Sequence, residues 1–245
     1  NWDPRKDDIT LEHVLTMTAG FAWNEWDPPY SDPNNQLERF VATTTDHAKG
    51  YLDLPMAADP GTKFAYNTAG STSLVQAVEN SVPMAAIDFG INELLLPMGI
   101  TDVEVLATPT GLPAGGYGFY FRTRDLAKFG QLHLSGGTWN GTRIVSEQWL
   151  IDSATPDVTV GWSEPSIWDW NLEGYGYQWW TGSYDFGGQN HASVAGWGFG
   201  GQWLIAIPDF GLVIAVNSDG YDGNNPATNA AHALVMNYIL PALSL

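Results

Sequence analysis

Residues 198–218 read GFGGQWLIAIPDFGLVIAVNS, two apolar runs of strand length around Asp209, Phe210 and Gly211. Runs this short, rich in β-branched residues and bounded by Gly and Pro, are strands rather than buried helices. A three-residue connection cannot supply the crossover of a dozen or more residues that parallel strands need. The runs are therefore antiparallel neighbours, with Gly211 at the turn position that requires a positive φ. The same brevity argues against a membrane span. No stretch approaches the ~18 consecutive apolar residues that one requires, so no membrane insertion is expected.

Helical patterns occupy the chain before this hairpin. DITLEHVLTMTAG has Thr10 as N-cap, an apolar stripe of Leu11, Val14 and Leu15, and Gly20 as its stop. NQLERFVATTT, STSLVQAVENS, AAIDFGINELLLPMGI, TRDLAKFGQLHLSGG and SEQWLIDSA follow with helical spacing, the last capped by Ser146. GYGYQWW is strand-like, and ATNAAHALVMNYILPAL closes the chain as a helix. Helices, then a hairpin, then a helix predict an α+β fold with an antiparallel sheet rather than alternating βαβ units. The expected division is a mainly helical region over 1–155 and the C-terminal strands with their closing helix over 156–245, together one domain.

Nine Lys and Arg oppose 27 Asp and Glu, a formal net charge of -18. That field repels a polyanion, so nucleic acid is not an expected partner. The chain has no cysteine, which excludes disulfides, thiol catalysis and cysteine-based zinc sites. The five histidines, His13, His47, His133, His191 and His232, lack ligand spacing, and NSDGYDGNN misses the calcium-loop register. There is no G-x-S-x-G nucleophile elbow and no phosphate-binding G-x-x-x-x-G-K.

Two features carry candidate chemistry. PGTKFAYNTAG (60–70) ends an aromatic run at Tyr66, Asn67 and Thr68, where a helical pattern begins. Tyr66 reads either as a core tyrosine with a hydrogen-bonded hydroxyl or as a proton carrier. Trp23, Trp26, Trp168 and Trp170 lie in loop-like segments, where tryptophans either roof a core or wall a binding cleft.

DDITLEHVLTMTAG, PGTKFAYNTAG, GGYGFYFRTRDLAKFGQLHLSGGTWNGTRIVSEQWL and GWGFGGQWLIAIPDFGLVIAVNS occur in this order. Together they resemble the serine β-lactamase and penicillin-binding-protein superfamily, on its class C and esterase-like side, over almost the whole chain. The resemblance implies an antiparallel sheet flanked by helices, an adjoining helical region, and an acyl-enzyme mechanism without metal or organic cofactor. Its three elements are S-x-x-K, Y-x-N and a small-residue motif on a sheet-edge strand. The second implies a catalytic Tyr66, with Asn67 beside substrate and Thr68 where Asn is usual. The third implies Gly196, Trp197 and Gly198 against substrate and the Phe199 backbone N–H as an oxyanion donor. Trp23 and Trp26 would wall the cleft.

The first element is missing from this chain. Asp3, Asp46, Pro60 and Asp125 stand three residues before the four lysines. The resemblance puts S-x-x-K upstream of Asn1, so an N-terminally incomplete catalytic domain, inactive alone, is expected. Esters or small amides are the expected substrates ahead of β-lactams, given Thr68 and the lack of a motif lysine at 196–198. An open sheet edge predicts a homo-oligomer or a companion N-terminal fragment. The resemblance also favours a periplasmic or secreted location. Two other readings stay open. One is a non-catalytic ligand-binding relative. The other is a carbohydrate-binding protein or glycosidase, which would need two facing carboxylates.

Overall fold

The computed structural model describes residues 2–156, 170–221 and 226–243. Trp168 and the end of NSDGYDGNN lie outside the described residues. The chain divides into two compact units, 1–121 and 122–245.

The first unit is built from short helices: α1 (Leu11–Leu15), α2 (Gln36–Thr43), α3 (His47–Asp53), α4 (Thr68–Ser81) and α5 (Ala86–Gly90), which runs on through a π turn, Ile91–Leu95. The strands β1 (Val103–Val105) and β2 (Phe119–Phe121) pair antiparallel beyond them. Thr10 caps α1 as expected, accepting from the His13 N–H while the His13 ring accepts from the Thr10 N–H. The helix is shorter than its pattern, however. It stops at Leu15, and Met17 turns with φ 61°. Gly20 serves a different purpose from the expected stop. At φ +84°, its missing Cβ would stand 2.5 Å from the Ala58 carbonyl oxygen. Its own carbonyl accepts from the N–H groups of Ala57 and Ala58. Val14, Ala19, Phe21, Phe40, Tyr51 and Ala69 form the core here, with Trp23 and Leu74 packed against it. α3 packs closely on α4, and a Cβ at Gly70 would meet the Tyr51 hydroxyl at 3.1 Å.

The second unit begins with α6 (Thr123–Leu134), a small hairpin of β3 (Thr138–Trp139) and β4 (Thr142–Arg143), and α7 (Glu147–Ala154) capped by Ser146. Five strands follow as an antiparallel meander: β5 (Asn171–Tyr175), β6 (Trp180–Phe186), β7 (Gln189–Gly198), β8 (Gln202–Ile207) and β9 (Leu212–Val216). α8 (Pro226–Leu234), a π turn over Val235–Ile239 and α9 (Leu240–Leu243) close the chain. The predicted hairpin is β8–β9, with Gly211 at φ +57°. GYGYQWW is not one strand. It turns between β5 and β6, where Gly176 donates to the Trp179 carbonyl and Gln178 takes φ 62°. A Cβ at Gly176 would lie 2.1 Å from the Ser153 carbonyl oxygen, so the chain passes too close to α7 for a side chain there.

The meander has two differently packed faces. α6 covers Leu204 and Val213, and Gly130 permits the approach because a Cβ there would stand 2.6 Å from Val213. Trp203, Ile205 and Ile207 alternate with these and are fully buried. Trp203 meets the His232 ring edge-on at 4.4 Å, and Trp170 stacks on His232 at 5.0 Å. Trp170 is therefore a core residue. Among the described residues, no helix is long and apolar enough to cross a membrane.

Candidate functional site

The segment from Ala22 to Asn35 looks like an unconstrained Pro-rich loop in the sequence, but it is densely tied. Asn35 is fully buried and donates to the carbonyls of Glu25 and Pro28, while its side-chain oxygen caps α2 at Leu37 and Glu38. Asn24 accepts from the N–H groups of Trp26 and Asp27, and Gln36 bridges Asn24 and Ala22.

At the centre of this loop sits Glu25, a carboxylate with no solvent exposure. Burying a charge is costly unless it is paired or well hydrogen-bonded. Four donors converge on it. Trp23 Nε1 donates to Oε2 at 2.7 Å and the Tyr30 hydroxyl to Oε1 at 2.8 Å. The Thr68 N–H donates to Oε2 at 2.8 Å and the Thr68 hydroxyl to Oε1 at 2.6 Å. Burial raises the Glu25 carboxyl above its ordinary value, and the hydrogen bonds from Thr68, Trp23 and Tyr30 pull it back. The N-terminal end of α4 opposes the rise as well, since it favours negative charge.

Tyr66, Asn67 and Thr68 form the start of α4. Asn67 is its N-cap. Its backbone is extended and its side-chain oxygen accepts from the Gly70 N–H at 3.1 Å. Thr68 is the first helical residue, buried, with its hydroxyl proton directed to Glu25. Tyr66 precedes the cap and is half-buried, its ring 5.2 Å from that of Trp26. Trp26 is itself 6.3 Å from the Tyr30 ring. Burial, and then the Glu25 charge, push the Tyr66 phenol up. Tyr30 is pushed up by burial, by Glu25 and by Tyr66 in turn. Trp23 lies on the inner side of the loop, edge-on to Phe40 at 5.7 Å. Tyr66, Asn67, Thr68, Trp23 and Trp26 thus converge on one patch, with Glu25 as its hub.

Gly196, Trp197 and Gly198 form the C-terminal end of β7. The register with β6 ends at Trp180↔Ala195, while these three pair with Leu204, Trp203 and Gln202 of β8. A motif on a central strand therefore sits where that strand runs past its β6 neighbour. Trp197 stacks on Trp203 with centroids 5.4 Å apart and planes 2° from parallel, and it contacts Trp180 at 5.7 Å. Gly196 and Gly198 alternate with it on the other face. Phe199 lies in the β7–β8 turn, its ring exposed and 5.7 Å from Tyr221.

Sequence reasoning passed over Glu25 and Tyr30. The available signal was a single acid between two tryptophans, WNEW, with no spacing rule to mark it. Its partner, Thr68, stands 43 residues away.

Short helices in one unit, a five-stranded antiparallel meander in the other and a Tyr-x-Thr helix start define a transpeptidase-like α+β protein. The chain belongs to the beta-lactamase family, whose model matches residues 1–236. Its neighbours among solved structures include penicillin-binding-protein homologues and a carboxylesterase, which share its fold. A 6-aminohexanoate-dimer hydrolase from Paenarthrobacter ureafaciens is 28% identical over 250 residues, covering 96% of this chain and 60% of the relative. The octameric penicillin-binding protein homologue from Pyrococcus abyssi matches in structure with a TM-score of 0.63, 19% identity, and 98% and 60% coverage. A family VIII carboxylesterase matches with a TM-score of 0.61, 13% identity, and 93% and 71% coverage. At these identities the structures match in fold. The chain spans about 60% of the length of the curated relative.

Proposed function

We propose that residues 1–245 carry the proton-handling and oxyanion elements of a serine acyl-transfer hydrolase for esters and small amides. The nucleophile is then an S-x-x-K serine outside this chain. The observation that carries this reading is the position of Tyr66. It lies immediately before the N-cap of α4, against Trp26, in a patch held by a buried carboxylate.

In the proposed sequence, the serine oxygen attacks the substrate carbonyl and its proton passes through the phenol oxygen of Tyr66 to the leaving amine or alcohol. The C–N or C–O bond breaks and an acyl-enzyme remains. Water then attacks the acyl group, gives its proton back along the same route, and the serine is released. Within this chain, burial and Glu25 favour the protonated phenol. A motif lysine beside it would lower its pKa and make it a competent base. The Phe199 N–H and the N–H of the nucleophile would hold the carbonyl oxygen as it becomes anionic. Gly196 and Gly198 would let substrate lie along the strand end, stiffened by the Trp197–Trp203 stack. The likeness to a 6-aminohexanoate-dimer hydrolase supports a small amide over a β-lactam.

Among the described residues β9 ends the order of the sheet, and all its residues are half-buried. That edge supports pairing with a second polypeptide segment, from another copy or a companion fragment. The reading is tested by hydrolysis of p-nitrophenyl butyrate and of a linear 6-aminohexanoate dimer by the natural full-length polypeptide. Turnover that Tyr66→Phe removes supports it, and turnover that survives Tyr66→Phe contradicts it.

A further inference from the structure

Glu25 is a fully buried carboxylate that accepts four hydrogen bonds, and no family motif quoted above contains it. Its four donors come from two places: Trp23 and Tyr30 from its own loop, and the N–H and hydroxyl of Thr68 from α4. Trp26, the next residue in the loop, lies against Tyr66, and Thr68 is two residues beyond it. A bond between Glu25 and Thr68 therefore sets the distance between the aromatic loop and the phenol.

We propose that Glu25 is a positioning residue: its carboxylate latches the aromatic loop to the first turn of α4 and so holds Trp26 and Tyr66 in the geometry that acyl transfer uses. This rests on the function proposed above for Tyr66. The latch depends on charge. An ionised carboxylate only accepts, and here it meets four donors. A proton on Oε2 would face two N–H groups that cannot accept, and a proton on Oε1 would force the Tyr30 or Thr68 hydroxyl to reverse. The titratable groups around it are Tyr30 on its own loop and Tyr66 before α4, with Glu38 on α2 acting on Tyr30. Both tyrosines stay neutral across the working range, pushed up by burial. Acid therefore acts on the latch through Glu25 itself.

The test uses the natural full-length polypeptide and an ester substrate, with kcat measured from pH 4 to pH 9. Glu25→Gln keeps the shape, but its amide N–H either opposes the Trp23 and Thr68 N–H groups at the Oε2 position or reverses the Tyr30 and Thr68 hydroxyls at the Oε1 position, so the bonds to Thr68 change in both orientations. Misplacing a catalytic group by about 1 Å can cost ~100-fold, so kcat is expected to fall about 10- to 100-fold with an unchanged circular dichroism spectrum. The acid limb of the wild-type profile should vanish in this variant, a change that a packing role would not produce. Thr68→Val is expected to lower kcat in the same direction, and Thr68→Ser to restore it. Should Glu25→Gln fail to fold, the Thr68 pair decides. Wild-type kcat and an intact acid limb in Glu25→Gln, or wild-type kcat in Thr68→Val, while Tyr66→Phe is inactive, overturn the latch alone. An active Tyr66→Phe overturns the proposed function, and the latch with it.

Discussion

The Tyr184 hydroxyl and His232 Nδ1 meet at 2.6 Å between the sheet and the closing helix α8, both fully buried. Trp170 stacks on the same imidazole and Trp203 closes its edge. Burial lowers the His232 pKa from 6.5 to about 4. The unfolded chain therefore binds a proton that the folded chain refuses. Stability from this residue is complete above pH 6.5 and is lost as pH falls from 6.5 towards 4, by up to about 3 kcal/mol. His47 and His133, also lowered by burial, act in the same direction. Urea unfolding at pH 7 and pH 4.5 should show a larger loss for the wild type than for His232→Gln. Equal losses would contradict this.

Gly137 tests the close of α6. Its φ is +82°, and a Cβ would lie 2.1 Å from the Val145 carbonyl oxygen. Ala there meets both backbone strain and a rigid neighbour, so Gly137→Ala should cost about 2 kcal/mol or more. Gly141, also at a positive φ of +83° but with nothing within 4 Å, should lose less when changed to Ala. Thermal unfolding of the two variants ranks them, and the reverse order would refute the close-approach argument.

The stacked pair Trp197 and Trp203 predicts that Trp197→Ala lowers stability by about 2–4 kcal/mol, because an aromatic partner and a large contact area are lost together. A wild-type denaturant midpoint would show that the stack does not stiffen the strand end.

Tyr66→Phe removes one oxygen. If Tyr66 carries the proton, kcat for ester hydrolysis by the natural full-length polypeptide should fall about 10²- to 10⁴-fold, the usual scale for general acid–base groups. KM should change little, since the ring remains against Trp26. A loss below threefold would remove Tyr66 from the mechanism.

What sequence could and could not reveal follows from the range of each interaction. Thr10, Asn35, Asn67 and Ser146 cap helices through residues two or three positions away, so local patterns expose the helices. β8 and β9 are legible because their apolar runs are bounded by Pro208 and Gly211. β5, β6 and β7 are not, because their buried positions include Thr181, Ser183, His191 and Ser193, polar residues that only tertiary contacts make tolerable. Ser183 donates to Glu173 across the strands, and Trp170 donates to Ser193. The β3–β4 hairpin did leave a local mark, Asn140-Gly141 with both φ values positive, which fits a type I′ turn. The change from helical to strand character near 155 does not coincide with the change of packing at 121/122, because α6 packs on β8 and β9. In the site, Tyr66 is legible through its motif. Glu25 is not, since its role depends on a loop meeting a helix 43 residues later.

The most direct test is intact-mass analysis of the natural full-length polypeptide after reaction with a fluorophosphonate, followed by mapping of the label. One stoichiometric label is expected on a serine outside residues 1–245, formed much more slowly in Tyr66→Phe. No label on the full-length polypeptide, or a label within residues 1–245, would contradict it.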